Sequence, residues 1–343
     1  MQKRVGLFLL FTLMFLAACS NQEKAQEAKE EKEPSVESEQ KTYTYPLTGE
    51  VSNEPVDNRI VAVMVNNHSK ARPQTGLTDA DVVYEILAEG NITRFLALFQ
   101  SELPNVIGPV RSAREYYYTL AQGFNALYVY HGAAKPIQQE IEQLGIDYLN
   151  GKEYDNNGTL FKRENFREAP HNSYLQFHGV YDTAQANDLQ VIFEHRALPF
   201  LDDEQVNQLN GESASHVEIA YAESEVVEYQ YDEAKHHYTR YNDGEQTVDY
   251  HTDEPVTVQN VFIVEAAHHV IDEQGRRSID LQVGGNGYLI QHGQMEQVQW
   301  QNDNGHIIPY KDGEQLRFVP GKTWVNVVPE QPGIQQSVTI SAQ

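Results

Sequence analysis

Val82-Val83-Tyr84-Glu85-Ile86-Leu87-Ala88-Glu89-Gly90-Asn91-Ile92-Thr93-Arg94-Phe95-Leu96-Ala97-Leu98-Phe99 is two apolar runs broken by Gly90-Asn91. A helix over Asp79 to Glu89, capped by Thr78, competes for the first run. The β-branched and aromatic content of both runs favours strands, and Gly90-Asn91 suits a hairpin turn. The stretch therefore predicts an antiparallel strand pair over Val82 to Leu87 and Ile92 to Phe99, and the reading of its surroundings starts from that pair.

Upstream, Ile60 to Val65 is a continuous apolar run fit for a buried strand. Downstream, Ser112 is placed to cap a helix through Glu115 and Leu120, and Ala126 to Tyr130 reads as a strand. Pro136 and Gly145 bracket a further helix, Pro136 to Leu144. Strand alternating with helix predicts an α/β domain with a mixed sheet over residues 42–205. Asp, Glu, Asn, Gln, Gly and Ser then cluster in Asp202 to Ser215, which reads as a boundary.

Beyond it, His216 to Tyr221, Val226 to Tyr231, His237 to Tyr241, Val258 to Ala266, Ile279 to Val283, Tyr288 to Gln291 and Trp324 to Val328 read as short strands. Gly284-Gly285-Asn286-Gly287, Asn304-Gly305, Asp312-Gly313 and Pro320-Gly321 read as the turns between several of them. Residues 213–343 are thus expected to form a mainly antiparallel β domain. The fold class expected for the whole is α+β or α/β, in two parts. About 300 residues follow the N-terminal segments, more than one core usually organises.

The N-terminus reads as an export signal. Lys3 and Arg4 precede an apolar run, Val5 to Phe15, too short to span a bilayer as a helix of about 20 residues. Leu16-Ala17-Ala18-Cys19 resembles a lipobox, in which the cysteine receives diacylglycerol. Cys19 is the chain's only cysteine, so disulfides, thiolate-bound metal and a thiol nucleophile are excluded. Residues 1–19 are expected to be the signal and residues 20–41, rich in Glu, Lys, Gln and Ala, a disordered tether. The expected location is the extracytoplasmic face of the cell membrane, with the membrane itself as a partner through the lipid on Cys19.

Lys and Arg number 25 against 50 Asp and Glu, for a formal charge of −25. A field of that sign repels phosphate backbones, so no nucleic-acid partner is expected. Against this background Gly108-Pro109-Val110-Arg111-Ser112-Ala113-Arg114 stands out. Read as a loop opening a helix, it offers free N–H groups, a helix dipole and two guanidinium forks to an anion. The competing reading pairs the arginines with the chain's own acids, Glu85, Glu89 or Glu115, and Arg94 reads as a structural partner. Arg72, His68, His131, His171 and Asn172 complete the candidate anion site. The histidines follow or adjoin expected strands in Asn66-Asn67-His68, Tyr130-His131-Gly132 and Pro170-His171-Asn172. For each histidine the competing role is structural.

No cofactor or metal is expected. His236-His237 and His268-His269 are neighbours that face opposite sides of a strand, and Asp79, Asp81, Glu85 and Glu89 read as solvated or paired. No nucleophile elbow or phosphate loop occurs. The 20 tyrosines, including Tyr116-Tyr117-Tyr118, read mainly as core and strand-face residues with stacking on sugars as the alternative.

Six linked phrases carry a resemblance to a known family. Val63-Met64-Val65-Asn66-Asn67-His68, Ala71-Arg72-Pro73-Gln74-Thr75-Gly76-Leu77, Ala80-Asp81-Val82-Val83-Tyr84-Glu85, Ile92-Thr93-Arg94-Phe95, Gly108 to Arg114 and Ala169-Pro170-His171-Asn172 resemble the YerB-type lipoproteins of Gram-positive bacteria, and Asn260-Val261 and Pro320-Gly321-Lys322-Thr323-Trp324 extend the match. The resemblance implies two paired domains on a lipoprotein and brings no reaction or catalytic residue. The expected function is that of an envelope lipoprotein whose first part binds an anionic, phosphate-bearing envelope ligand or an envelope protein. The alternatives are an enzyme acting on a phosphorylated cell-wall precursor or polymer, with His68, His131 or His171 moving protons, and a structural interaction protein.

Overall fold

In a computed structural model, which describes residues 42–342, strand β1 (Val61–Asn66) is buried along its whole length. Val61, Val63 and Val65 point into one core and Ala62 and Met64 into another, the period-two alternation of a strand covered on both faces. That is why its sequence reads as an unbroken apolar run. The signal segment, Cys19 and the tether lie outside the described residues.

The hairpin forms as read: β2 (Val82–Glu89) pairs antiparallel with β3 (Ile92–Phe99), in register Val83 to Ala97 and Glu85 to Phe95. β3 pairs antiparallel with β1. Helix α1 (Glu115–Gly123) leads to β4 (Leu127–Tyr130), and α2 (Lys135–Gln143) leads to β5 (Tyr148–Asn150); β4 lies parallel to β1, and β5 parallel to β4. This corner is the α/β part of the molecule.

Most strands of the second half fall in two sheets, and His268–Val270 and Arg277–Ile279 form a separate pair. β6 (His216–Ala222), β7 (Glu225–Asp232) and β8 (His237–Asn242) form an antiparallel sheet. β9 (Asn260–Ala266), β10 (Gly285–Gln291), β11 (Gln294–Asp303) and β12 (His306–Lys311) form an antiparallel run. β13 (Thr323–Pro329) then lies parallel to both β9 and β2, and β14 (Val338–Ser341) closes against β6. Through β13 a single twelve-stranded sheet runs from one half of the chain into the other.

One correction follows. The fold is mainly β: helices α1 and α2 cover one face of the large sheet, and the other face packs against the β6–β8 sheet together with the helix Val180–Ala186, so α/β describes only the β1–β4–β5 corner. Residues 213–343 are mainly antiparallel as expected, with β13 the exception, its partners parallel and non-local. Both cores draw on both halves: Val83 and Phe95 pack in one with Val217, Val261 and Trp324, and Met64 and Tyr84 pack in the other with Phe262, Leu289 and Trp300. The segment 207–211 between the halves is largely exposed, flanked by the short helix Asp203–Val206 and by Glu212–Ser213, which pairs with β11.

Three local readings also change. Gly285, Asn286 and Gly287 lie inside β10 rather than in a turn. A Cβ on Gly285 would sit 2.6 Å from the Glu265 carbonyl oxygen, so the glycine allows close strand approach. Of Ile279 to Val283 only Ile279 is in a strand. Helix α1 begins at Glu115, with Arg114 as its N-cap and no side-chain cap. Residues before it are drawn out against β1, where Val110 bridges Val65.

Candidate functional site

The end of β1 sets the site. Asn66 closes the strand, and His68 precedes a single 3-10 turn, Ser69–Ala71. The segment through Arg111 runs alongside: Asn66 N–H donates to the Pro109 carbonyl (2.9 Å) and Arg111 N–H to that of Met64 (2.9 Å). On the other side Val110 N–H donates to the Ser173 carbonyl at 2.7 Å. Gly108 permits the approach, since a Cβ there would lie 2.8 Å from the Tyr174 ring. Ser173–Gln176 pairs antiparallel with Phe161–Arg163, and the loop joining these two strands carries Arg167 and His171. Three segments distant in sequence therefore meet at the end of one strand.

The hydrogen bonds fix how the two histidines present themselves. The Asn66 Oδ1 accepts from His68 N–H at 3.1 Å, which turns its Nδ2 toward His171 Nδ1 at 2.8 Å. His68 Nδ1 accepts from Lys70 N–H at 3.1 Å. In the neutral imidazoles both Nδ1 atoms are acceptors, so both protons sit on Nε2. The rings lie 4.8 Å apart. Burial and the neighbouring cations hold both below the ordinary histidine range: Lys70, Arg111 and Arg72 act on His68, and His68, Arg111, Lys70 and Arg167 on His171.

Arg111 makes no ion pair among the described residues. One Nη1 contact reaches the Pro170 carbonyl at 3.5 Å, and the buried Nε has no hydrogen-bond partner. Burial and the Arg94 guanidinium pull its pKa down to about 10. No carboxylate is among the charges that shift Arg111, His68 or His171. In a chain with twice as many acids as bases, an acid-free cluster of donors is an arrangement that an anion would complete.

The other expected site residues have partners. Arg114 and Arg94 both pair with Glu89, Arg94 at 2.5 Å, the self-pairing that the acids of this segment allowed. Arg94 also donates to the Ser112 carbonyl, a structural role as expected. The Ser112 hydroxyl donates to the His131 carbonyl at 3.2 Å rather than capping a helix, and Ala113 N–H is held by the Gly132 carbonyl. With the N–H groups of Arg111 and Ala113 both engaged, the side chains carry the anion argument. His131 Nδ1 lies 2.7 Å from the Ser173 hydroxyl. Asn172 Oδ1 accepts from Arg163 at 2.9 Å.

Arg72 sits in a separate network between the sheets. It pairs with Glu225 at 2.7 Å and Asp243 at 2.5 Å, beside a cavity of about 150 Å³ lined by Asn67, Gln74, Arg240 and Asn242. Burial outweighs the Arg72 charge and pushes Glu225 up to about 7. Deeper in, Arg240 binds both oxygens of Glu85 at 3.0 and 2.9 Å. Sequence reasoning missed Lys70, Arg167 and this second-half network. Lys70 and Arg167 carried no periodic or motif signal, and Arg240 and Glu225 sit on ordinary alternating strands.

Residues 47–190 match the N-terminal domain, and residues 217–325 the C-terminal domain, of a family described as "Protein of unknown function (DUF3048)". "Putative lipoprotein YerB" of Bacillus subtilis (strain 168) is 47% identical over 290 residues, covering 83% of this chain and 86% of that protein. This chain belongs to the YerB family. The gap between the two matched regions contains the polar segment Asp202 to Ser215. The crystal structure of YerB protein from Bacillus subtilis superimposes with a TM-score of 0.80 at 45% identity, covering 88% of this chain and 100% of that one. The resemblance read from the six phrases is thus borne out, and the mainly-β architecture is shared with the YerB structure. Among the described residues no helix is long and apolar enough to cross a membrane, and no group of three His, Cys, Asp or Glu side chains is placed to hold a metal ion.

Proposed function

We propose that this YerB-family protein is anchored by diacylglycerol on Cys19 at the outer face of the cell membrane, and that it binds an anionic, phosphate-bearing envelope ligand at Arg111, His68 and His171. The observation that carries the reading is the donor cluster with no carboxylate: an arginine without an ion pair and two imidazoles whose Nε2–H groups are free to donate. Neutral imidazoles arranged as donors support binding over proton abstraction, and so favour a receptor over an enzyme. The name of the Bacillus subtilis relative supports a lipoprotein.

Calorimetry with inorganic phosphate and pyrophosphate tests the site. A charge-assisted hydrogen bond contributes about 1.5 to 3 kcal/mol, so Arg111→Ala should weaken binding by at least roughly tenfold. Arg111→Lys should restore it only in part, because the ammonium keeps the charge and loses the fork. Arg114→Ala should leave it nearly unchanged, since that guanidinium already pairs with Glu89. Equal losses in the Arg111 and Arg114 variants, or no anion binding by the wild type, would overturn the assignment.

A further inference from the structure

Loop 164–172 carries two more side chains beside the donor cluster. Phe166 is stacked on Tyr250 with centroids 4.4 Å apart and planes 8° from parallel. Phe166 is 41% exposed and Tyr250 37%. Among the described residues they are the only aromatic members of the exposed large hydrophobics, the rest being Val, Leu and Ile. Two large rings stacked face to face and left partly in water, held by chain segments far apart in sequence, form an apolar pair rather than a stray exposed residue.

Arg167 joins this pair to the cationic cluster. Its guanidinium lies 5.7 Å from the Phe166 ring centre and 5.4 Å from that of Tyr250. Nη2 donates to the Pro73 carbonyl, and Nη1 is buried without a hydrogen-bond partner. Tyr250 N–H donates to the Gln74 carbonyl at 2.8 Å, so the loop 72–76 that follows His68 also supports the second ring. Arg111, His68 and His171 thus form an anion seat, and Phe166 and Tyr250 a stacked apolar pair, with Arg167 beside both rings and near enough to His171 for its charge to act there.

We infer that the ligand of the proposed anion site is a phosphorylated sugar, its phosphate on Arg111, His68 and His171 and one face of its ring against the exposed side of the Phe166–Tyr250 stack. This rests on the anion-site reading and adds the second half of the ligand. A pyranose has a C–H face that packs on an aromatic ring and hydroxyls around its edge that hydrogen-bond. A bare phosphate or a phosphate on a short alkyl chain would leave that side of the stack in water.

The test is calorimetric titration of the wild type, Phe166→Ala and Tyr250→Ala with methyl phosphate, N-acetylglucosamine 1-phosphate and N-acetylglucosamine. The sugar phosphate should bind the wild type at least roughly tenfold more tightly than methyl phosphate, and the free sugar should bind far more weakly than either. Each aromatic variant should lose most of that preference while keeping its affinity for methyl phosphate, which also shows that the loop has not collapsed. Equal affinity of the wild type for the two phosphates, or a preference untouched by both variants, overturns the sugar inference and leaves the anion site standing. Failure of every phosphate to bind overturns both.

Discussion

Arg240→Met tests what joins the two halves of the molecule. Both Glu85 and Arg240 are fully buried, one on a strand of the first half and the other on a strand of the second. Arg240 Nη2 donates to both Glu85 oxygens, Nη1 donates to Thr247 at 2.7 Å, and the guanidinium lies 4.7 Å from the Trp324 ring centre and 5.3 Å from that of Phe95. Methionine keeps most of the stem volume and removes every donor. The Glu85 carboxylate then retains the Trp324 indole N–H and the Thr93 hydroxyl, each at 2.9 Å, and a long contact from Asn67 Nδ2 at 3.5 Å.

Breaking a buried pair from one side typically costs about 3 to 5 kcal/mol, whereas replacing both partners is far cheaper, because neither charge remains to be desolvated. Arg240→Met should therefore lose about 3 to 5 kcal/mol, a large share of a domain's usual 5 to 15. Glu85→Gln/Arg240→Met should lose only about 2, less than the single Arg240 variant. Urea unfolding followed by tryptophan fluorescence reads this, with an unchanged slope confirming that the same surface is exposed. A double variant that costs the sum of the two singles would refute the reasoning, since the pair would then contribute no coupling.

A protease site inserted in residues 207–211 should yield two fragments that stay together on gel filtration after cleavage, because β13 pairs with β2 across the cut; separation at micromolar concentration would show that the shared sheet does not hold them. His306, only 3% exposed and stacked on Phe124 at 4.2 Å, is held at about 4 by burial and by Arg196. Since the unfolded chain takes up this proton near pH 6.5 and the folded chain does not, stability should fall by about 3 kcal/mol between pH 6.5 and 4 on its account, and His306→Phe should flatten that part of a urea midpoint against pH curve. Cys19→Ala should shift the protein out of the detergent phase or leave the uncleaved precursor, and unchanged partitioning would defeat the lipid anchor.

Much of the fold was legible because strand and turn chemistry is local. The unbroken apolar run of β1, the β2–β3 hairpin at Gly90-Asn91, the Pro136 and Gly145 brackets of α2 and the Asn304-Gly305 and Asp312-Gly313 turns each follow from a few neighbouring residues. Strand partners across long separations were not legible. Trp324 to Val328 reads correctly as a buried strand, yet nothing in those residues says that its neighbours are β9 and β2. The start of α1 was misplaced by three residues because Ser112 is a good cap on propensity, and only the bond of its hydroxyl to the His131 carbonyl shows where that oxygen is engaged.

The candidate site divides in the same way. The sequence by itself determined the family, most of the strand content and the unusual concentration of Arg and His in a few polar phrases, since these depend on residue type and spacing alone. Only the tertiary structure decided which of those cations are free. Arg72, Arg94 and Arg114 find acids in Glu225, Asp243 and Glu89, while Arg111 finds none among the described residues. An ion pair depends on distance in space, which sequence separation no longer reports once the chain turns back on itself; the end of β1 brings Arg111, His68 and His171 together, and among the described residues none of the three has an ion pair.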